Sequence, residues 1–540
     1  MKNIMHFIIL SILTITHGLF AQNSVSGSVL DENNQPIPSV SVIEKGTSNG
    51  TSSNFDGNFT IQVEPGSSLI FSSIGYISQE ILVAQDQEII VNLSSDIMGL
   101  DEVIVTTGYG SQKKTSISGS VVTLSNENLV SRGVQNITHA LAGSIAGVST
   151  QQPIGLIGQD DAKIYIRGKG TLGNTDALIV IDGIPDRGGF SRLNSDDIES
   201  ITVLKDASAA IYGARAANGV LLITTKRGKF NKETKFNLNT SYTINSPTVR
   251  TKGLDSWKWA QYQKSQIDNL SLGWATVFND EQIGLLKDGS RPDEYANTDW
   301  FEETIAKSRP ASNLSLNVEG GSETISYFVS GQYSNQEQMF NGDFPFEQYQ
   351  FRSNIDIKLT DKLSMGFDVL NRRDDGQYTK SDTFDGVGYG TEEVWDQLYG
   401  GAAGYTQGWP WLVGRLSNGQ IGKGAQPSGG SNPIGILENG SNRIINDVLN
   451  TKISFAYNIS EDLKITAYGA YDKSNRSQKK FTAVFDEYLY NNTTGEFIKA
   501  IDGNKPILTQ KKQNNSNNLI NIKLDYKKSF GNHNFDAFVA

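Results

Sequence analysis

Period-two alternation dominates the second half of the chain. Leu314, Leu316 and Val318 alternate with polar residues, and after Gly320-Gly321-Ser322 the pattern resumes at Ile325, Tyr327, Val329 and Tyr333. Ile355, Ile357 and Leu359 alternate with Asn354, Asp356 and Lys358. Thr360-Asp361-Lys362 then turns the chain into Leu363, Met365, Phe367 and Val369. Ile453, Phe455, Tyr457 and Ile459 lead through Ser460-Glu461-Asp462 into Leu463, Ile465, Ala467 and Tyr471. Ile520, Ile522, Leu524 and Tyr526 precede a turn around Gly531-Asn532. Side chains alternate across a strand, so each segment has one apolar and one polar face. Short turns near 320, 360 and 460 alternate with longer connections, the longest running from Asn371 to about Asn446. Such strands, about a dozen in all, predict an antiparallel transmembrane β-barrel over residues 229–540. A soluble β-sandwich is the alternative that alternation alone leaves open.

The first half reads differently. From Val25 to Leu93, short β-prone runs (25–30, 39–44, 59–63, 68–72, 80–83 and 89–93) are separated by turn residues such as Asp56-Gly57 and Pro65-Gly66. That spacing predicts a small all-β sandwich of Ig-like or prealbumin-like type over 22–96. Residues 115–228 mix strands with short helices and predict a compact α+β domain. Asn136 is placed to cap a helix running to about Ile145, with Gly147 ending it. Strands are expected at Lys163–Ile166, Ala177–Ile181 and Val220–Thr225. Asp206 is read as the cap of a helix over Ala207–Tyr212 that Gly213 stops. Gly168-Lys169-Gly170-Thr171-Leu172-Gly173 matches GxGxxG formally. It runs into a strand rather than opening a helix, so it lacks the helix N-terminus that holds a phosphate.

Between these two regions lies Gly99-Leu100-Asp101-Glu102-Val103-Ile104-Val105-Thr106-Thr107-Gly108-Tyr109-Gly110, followed by Ser111-Gln112-Lys113-Lys114. A β-prone core flanked by acids and glycines predicts an extended, mobile strand, able to add to the edge of another protein's sheet. An ordinary interdomain linker is the plainer reading of these residues. The stretch resembles the TonB-box region of SusC/RagA-type TonB-linked outer-membrane proteins. Gly27, Asp31, Pro36, Gly46-Thr47, Asp56-Gly57-Phe59 and Ser73-Ile74-Gly75-Tyr76 resemble that family's carboxypeptidase-D regulatory-like domain. Its plug core is resembled by Ile164–Gly168, Ile179–Pro185, Asp197–Asp206, Ala209–Gly213 and Ala217-Asn218-Gly219.

Composition adjusts this picture. The chain has 37% hydrophobic residues and no cysteine, and its formal charge is −11. No stretch after the N-terminal run is apolar enough for a spanning helix, a limit that leaves barrel strands untouched. The acidic balance argues against nucleic-acid binding, which rests on neutralising phosphates. Lys2 and the apolar run Ile4–Ile15 read as a signal peptide over 1–21, with cleavage expected between Ala21 and Gln22. Without cysteine there are no disulfides, thiolate metal sites or lipidated N-terminal Cys. Of four histidines, His6 and His17 fall in the signal peptide, and His139 and His533 have no neighbours that make a triad or metal set. No H-E-x-x-H or P-loop is present, so no enzyme, cofactor or metal is expected.

The resemblance implies an importer of oligosaccharides or peptides in the outer membrane, its N-terminal domain and box in the periplasm. TonB with ExbB–ExbD would supply the motor, a SusD-like surface lipoprotein the lid, and outer-membrane lipid the surroundings. Siderophore or cobalamin uptake is the alternative within that machinery; a soluble or surface carbohydrate-binding sandwich is the alternative outside it. Asp101, Glu102, Val103, Ile104 and Val105, within the linker 97–114, would be the TonB-binding residues. Arg167, Gly168, Asp182, Gly183, Asp206, Gly213, Asn218 and Gly219 would form the plug core. In the longest loop Trp395, Tyr399, Tyr405, Trp409 and Trp411 are candidate ligand contacts, with a self-packed loop as the alternative. The family closes its barrel with 22 strands and this chain stops in mid-alternation, so a fragment or truncated form is expected.

Overall fold

The computed structural model describes residues 23–540 apart from 33, 48, 64–65, 74, 84–88, 95–103, 108–109, 114–120, 131–135, 153–155, 172, 249–252, 271–277, 380–409, 424–431, 484, 502–504 and 532. The expected signal peptide lies outside the described residues. The chain divides into two compact units, residues 1–104 and 105–540.

The first unit is a β-sandwich. In one sheet Asn23–Leu30 lies between Asn58–Val63, antiparallel, and Ile89–Asn92, parallel. The other has the order Gly50–Ser52, Ser41–Glu44, Ser68–Ser72, Gln79–Leu82. Strict alternation along Asn58–Val63 buries Phe59, Ile61 and Val63. These meet Val42, Leu69 and Phe71 of the opposite sheet, with the Phe59 and Phe71 rings edge-on at 5.2 Å. Gly27 has a steric reason: a Cβ there would lie 2.0 Å from the Ile89 carbonyl oxygen. The strand Gly50–Ser52 has no counterpart among the expected runs, because three small polar residues give no alternation to read.

In the second unit, a five-stranded sheet has the order Val121–Ser125, Ile198–Leu204, Val220–Thr225, Leu178–Ile181, Ile184–Pro185. Val148–Gln151 pairs separately with Lys163–Ile166. Asp182 and Gly183 form a two-residue hairpin turn with φ of 50° and 82°, the doubly left-handed conformation that fits the twist of its flanking strands. Asn136 caps the helix as expected, accepting from the Thr138 amide at 3.0 Å. The helix stops at Leu141 rather than Ile145, because Ala142 turns extended and Gly143 takes φ 68°. The helix expected over 207–212 is instead a 3₁₀ segment, Asp206–Ala216, broken at Gly213 (φ 70°, ψ −158°). Lys205, not Asp206, occupies its cap position, and no side chain caps it.

Around this domain runs a nine-stranded, all-antiparallel sheet in sequence order: Lys232–Asn245, Arg309–Gly321, Ile325–Glu337, Pro345–Lys358, Leu363–Tyr378, Ser441–Asn458, Leu463–Thr482, Ile507–Phe530 and His533–Val539. Two further strands, Glu487–Asn491 and Glu496–Ile501, pair with each other outside the nine-stranded sheet, and Tyr488 of the first bridges to Gly422. Turns at 322–324, 359–362, 459–462 and Gly531 lie at one end, and the strand ends Asn245, Arg309, Tyr378, Ser441, Thr482 and Ile507 at the other. Register assembles the alternation into rows. Tyr327, Ile355, Phe367, Ile453, Gly469 and Ile520 face one side, and Ser330, Arg352, Leu370, Asn450, Asp472 and Asn517 the other. Phe367, Ile453 and Ile520 are exposed, whereas Ser330, Arg352, Leu370 and Asn450 are buried. The apolar face is therefore the outer one, as a bilayer requires.

Replacing Phe71 by Ala should cost the sandwich ~3–5 kcal/mol, the range for emptying a large aromatic site. Limited proteolysis should then cut between residues 23 and 93 under conditions that leave residues 121–225 intact; equal resistance of the variant would contradict this packing.

Candidate functional site

The inner face of the nine-stranded wall is polar because the outer face is apolar, and the α+β domain supplies polar groups to match it. Three clamps join them. Arg187 reaches Asp472 with both nitrogens, Nε to Oδ2 at 3.0 Å and Nη2 to Oδ1 at 2.8 Å. Arg227 holds Asp356 in the same forked way at 2.9 Å and also reaches Asp368 at 2.6 Å. The third clamp has the opposite polarity: Arg352 of the wall lies between Asp182 (3.6 Å) and Asp197 (3.4 Å) of the domain.

Hydrogen bonds fill in between the clamps. Asp182 accepts from the amide and hydroxyl of Thr225, both at 2.9 Å, and its carbonyl accepts from Lys452 at 2.8 Å. Gln350 donates to Asp197 at 2.8 Å, and Asn354 to the Lys226 carbonyl at 2.7 Å. Asn194 donates to Ser315, and Arg372 to the Gly189 carbonyl. Leu370 of the wall joins the hydrophobic core of the domain, so the contact is not wholly polar. Gly158 (φ 89°) presses so closely on the wall that a Cβ would lie 2.3 Å from the Tyr378 hydroxyl.

The two carboxylates beside Arg352 are not equivalent. Burial pushes Asp182 up, but Arg352, the Thr225 amide, Arg227 and Lys452 outweigh it and hold the carboxyl below the ordinary range. Burial also pushes Asp197 up, and there Arg352, Ser330 and Gln350 do not compensate, with Asp196 adding repulsion. One arginine fully serves only one of its two carboxylates.

The expected plug-core residues separate into two groups. Asp182 and Gly183 meet the wall, the Gly183 carbonyl accepting from the Tyr468 hydroxyl at 3.4 Å. The others shape the domain itself. Arg167 and Gly168, at φ 60° and 87°, turn the chain after Lys163–Ile166. Asn218 ties the Asn174 and Asp176 carbonyls, and Gly219 leaves room for Ile166, whose Cδ1 would lie 2.7 Å from a Cβ. Asp206 begins the 3₁₀ segment that Gly213 breaks. The charged residues of the clamps, apart from Asp182, were not singled out in the sequence. Their available signal was the row of charges at inward positions of Pro345–Lys358, Leu363–Tyr378 and Ser441–Asn458.

Of the expected box, Asp101, Glu102 and Val103 lie outside the described residues. Ile104 and Val105 belong to the strand Ile104–Thr107, which pairs with Gly110–Lys113 in a sheet of two. The expected unpaired strand thus has one edge occupied by its own chain, since two intervening residues suffice for a hairpin. Trp395, Tyr399, Tyr405 and Trp409 are outside the described residues. Trp411 packs on Trp259 (4.1 Å between ring centroids) and Phe278 (5.5 Å). Those partners come from the connection 246–308, whose helices Ser256–Leu270, Asp280–Asp288 and Trp300–Thr304 were not foreseen, although Asn279 and Gln282 spell a capping box.

Comparison with known proteins agrees with this arrangement. Residues 113–220 match the TonB-dependent receptor plug domain, and residues 25–105 the CarboxypepD_reg-like domain. TonB-dependent receptor P26 of Formosa agariphila is 33% identical over 477 residues, 85% of this chain and 43% of that protein. TonB-dependent receptor SusC of Bacteroides thetaiotaomicron is 31% identical over 546 residues, 96% of this chain and 50% of that protein. The ferrienterobactin receptor of Escherichia coli is 31% identical over 145 residues, 24% of this chain. The RagAB peptide transporter structure shares the fold, with TM-score 0.60 and 22% identity over 78% of this chain and 47% of that one. The chain spans about half the length, or less, of these curated relatives. The plug-domain match, the CarboxypepD_reg-like match and the similarity to SusC together support a SusC-like TonB-dependent receptor.

Arg352→Met removes the guanidinium shared by two buried carboxylates and should destabilise plug docking by ~3–5 kcal/mol. Hydrogen exchange of Ile198–Leu204 and Val220–Thr225 reads it; unchanged protection would refute the clamp. The pH dependence has opposite signs at the two acids. The stabilisation from Asp182 is present above about pH 4 and lost as pH falls through its lowered pKa; that linked to Asp197 is present at low pH and lost as pH rises through its raised one. Asp197→Asn should therefore make exchange in these strands less sensitive to a rise in pH above the ordinary aspartate range. A variant whose pH response matches the parent would exclude Asp197 as the source.

Proposed function

We propose that this chain works as a SusC-like, TonB-dependent importer of oligosaccharides or peptides in the outer membrane. Residues 22–96 form the regulatory-like sandwich, 97–114 the box linker and 115–228 the plug, with the barrel from 229 onward. The sandwich and box lie in the periplasm. The observation that carries this reading is the clamped plug: a folded domain held to a polar inner wall by reversible ion pairs, while the outer wall is apolar. Such a domain blocks a pore, and charge pairs with hydrogen-bonding partners can be broken and remade where a dry apolar seam would resist.

The pull would come from TonB, with ExbB–ExbD, adding a strand at Asp101–Val105. A SusD-like lipoprotein would cover the opposite end. The extent of the similarity favours this over siderophore uptake: the SusC similarity runs through sandwich, plug and wall, and that to the ferrienterobactin receptor covers a quarter of the chain.

Deleting Asp101–Val105 should abolish capture of the full gene product by the TonB C-terminal domain, while membrane fractionation and heat-modifiable gel mobility stay as in the parent. Undiminished capture would refute the box assignment. A parent protein that never fractionates with the outer membrane would refute the importer.

A further inference from the structure

Above the apolar band, the outer face of the wall turns cationic. Outward positions of Leu463–Thr482 run Ile465, Ala467, Gly469 and Tyr471, and those of Ile507–Phe530 beside it run Leu524, Ile522 and Ile520. The register continues unbroken toward the strand ends Thr482 and Ile507, but the outward residues change. They become Lys473, Asn475, Ser477 and Lys479 on one strand, and Asn518, Ser516, Asn514, Lys512 and Gln510 on the other. Beyond them an apolar pair returns, Phe481 opposite Leu508. This polar strip holds three lysines and no carboxylate, on a chain whose formal charge is −11. Arg443 of the adjoining strand lies directly opposite Lys479, and Lys512, opposite Ser477, is diagonal to it. Like charges so placed repel. The nearest acids are engaged: the Arg443 fork holds Asp375 at 2.8 and 2.6 Å, and Asp447, diagonal to Lys473, lies 3.8 Å from Arg373. Lys473, Lys479 and Lys512 are exposed, with no ion-pair partner among the described residues.

Height selects what can sit here. Lys473 follows Tyr471 by two residues and Lys479 by eight. At ~3.3 Å per residue and a strand tilt of ~35–45°, Lys479 rises ~20 Å above the end of the apolar run. The headgroup layer of an ordinary phospholipid spans only ~5–8 Å of a leaflet. It meets Lys473 and falls short of Lys479 and Lys512. An occupant continuous with the bilayer therefore needs acyl chains below and a tall, acidic head above. The interleaved amides and hydroxyls of Asn475, Ser477, Asn514 and Ser516 offer the donors and acceptors that sugar hydroxyls match. We propose that this strip of the outer wall docks an acidic glycolipid of the surrounding leaflet. Its acyl chains lie on Tyr471 and Ile520, its sugars along the Asn and Ser positions, and its phosphate or carboxylate groups between Lys479, Lys512 and Arg443. The proposal rests on the outer-membrane reading and adds to it the class of lipid that this side of the barrel recruits.

The test titrates the full gene product, in micelles of a neutral detergent, with deep-rough lipopolysaccharide, whose head carries phosphates and acidic sugars. Phosphatidylglycerol serves as an anion without sugars, and digalactosyldiacylglycerol as a sugar head without charge. Lipopolysaccharide should bind best and weaken with added salt. The double variant Lys479→Gln/Lys512→Gln should lower its affinity about tenfold or more, whereas Lys362→Gln, in a turn at the opposite end, should leave it unchanged. Heat-modifiable mobility should match the parent in both variants, which shows that they fold. Equal binding by parent and double variant would overturn the site, as would preference for phosphatidylglycerol or the neutral glycolipid. So would a photoreactive residue in place of Lys479 that, in native outer membranes, crosslinks to a polypeptide and to no glycolipid. A parent protein absent from the outer-membrane fraction would instead defeat the importer reading.

Discussion

The architecture of the second unit depends on one constraint: a sheet whose outer face is apolar must present polar groups inward, and those groups need partners once a domain sits against them. Arg187, Arg227 and Arg352 meet that need with three clamps of mixed polarity, two cations projecting from the plug and one from the wall. Burying charge is costly unless it is matched and hydrogen-bonded. Here the forked pairings to Asp472 and Asp356 supply the geometry that makes it tolerable. The neighbouring amides and hydroxyls, Gln350, Asn354 and Thr225 among them, keep the seam continuous between clamps.

That seam would suit the displaceable closure of the proposed importer. An all-apolar contact would resist displacement over its whole area, whereas ion pairs and hydrogen bonds can be exchanged for water one at a time. The imbalance at Arg352, one guanidinium shared by Asp182 and Asp197, leaves the plug held less tightly than full pairing would allow. The strand Ile104–Thr107, where the handle for any pull would begin, is tied among the described residues only into a two-stranded sheet. Isolated two-stranded sheets are marginal in water, so little opposes its transfer to another edge.

The loop end is organised by a different force, the packing of Trp259, Phe278 and Trp411 from connections far apart in sequence.

Periodicity alone determined much of this protein. Much of the strand pairing from Arg309 to Tyr526 follows from alternation that puts most apolar side chains on one face, because a one-residue slip would reverse them. The Asp182-Gly183 hairpin and the Asn136 cap were equally local, written in residues whose conformations suit them. Register between strands was not local, and so neither was the site. Arg227 and Asp356, 129 residues apart, or Arg187 and Asp472, 285 apart, carry no mark in sequence that they meet. Helices within a loop, the break at Gly213 and the pairing of Ile104–Thr107 with its own chain were decided in the same way. Each depends on what folding brings to the other side of a side chain, which only the tertiary structure fixes.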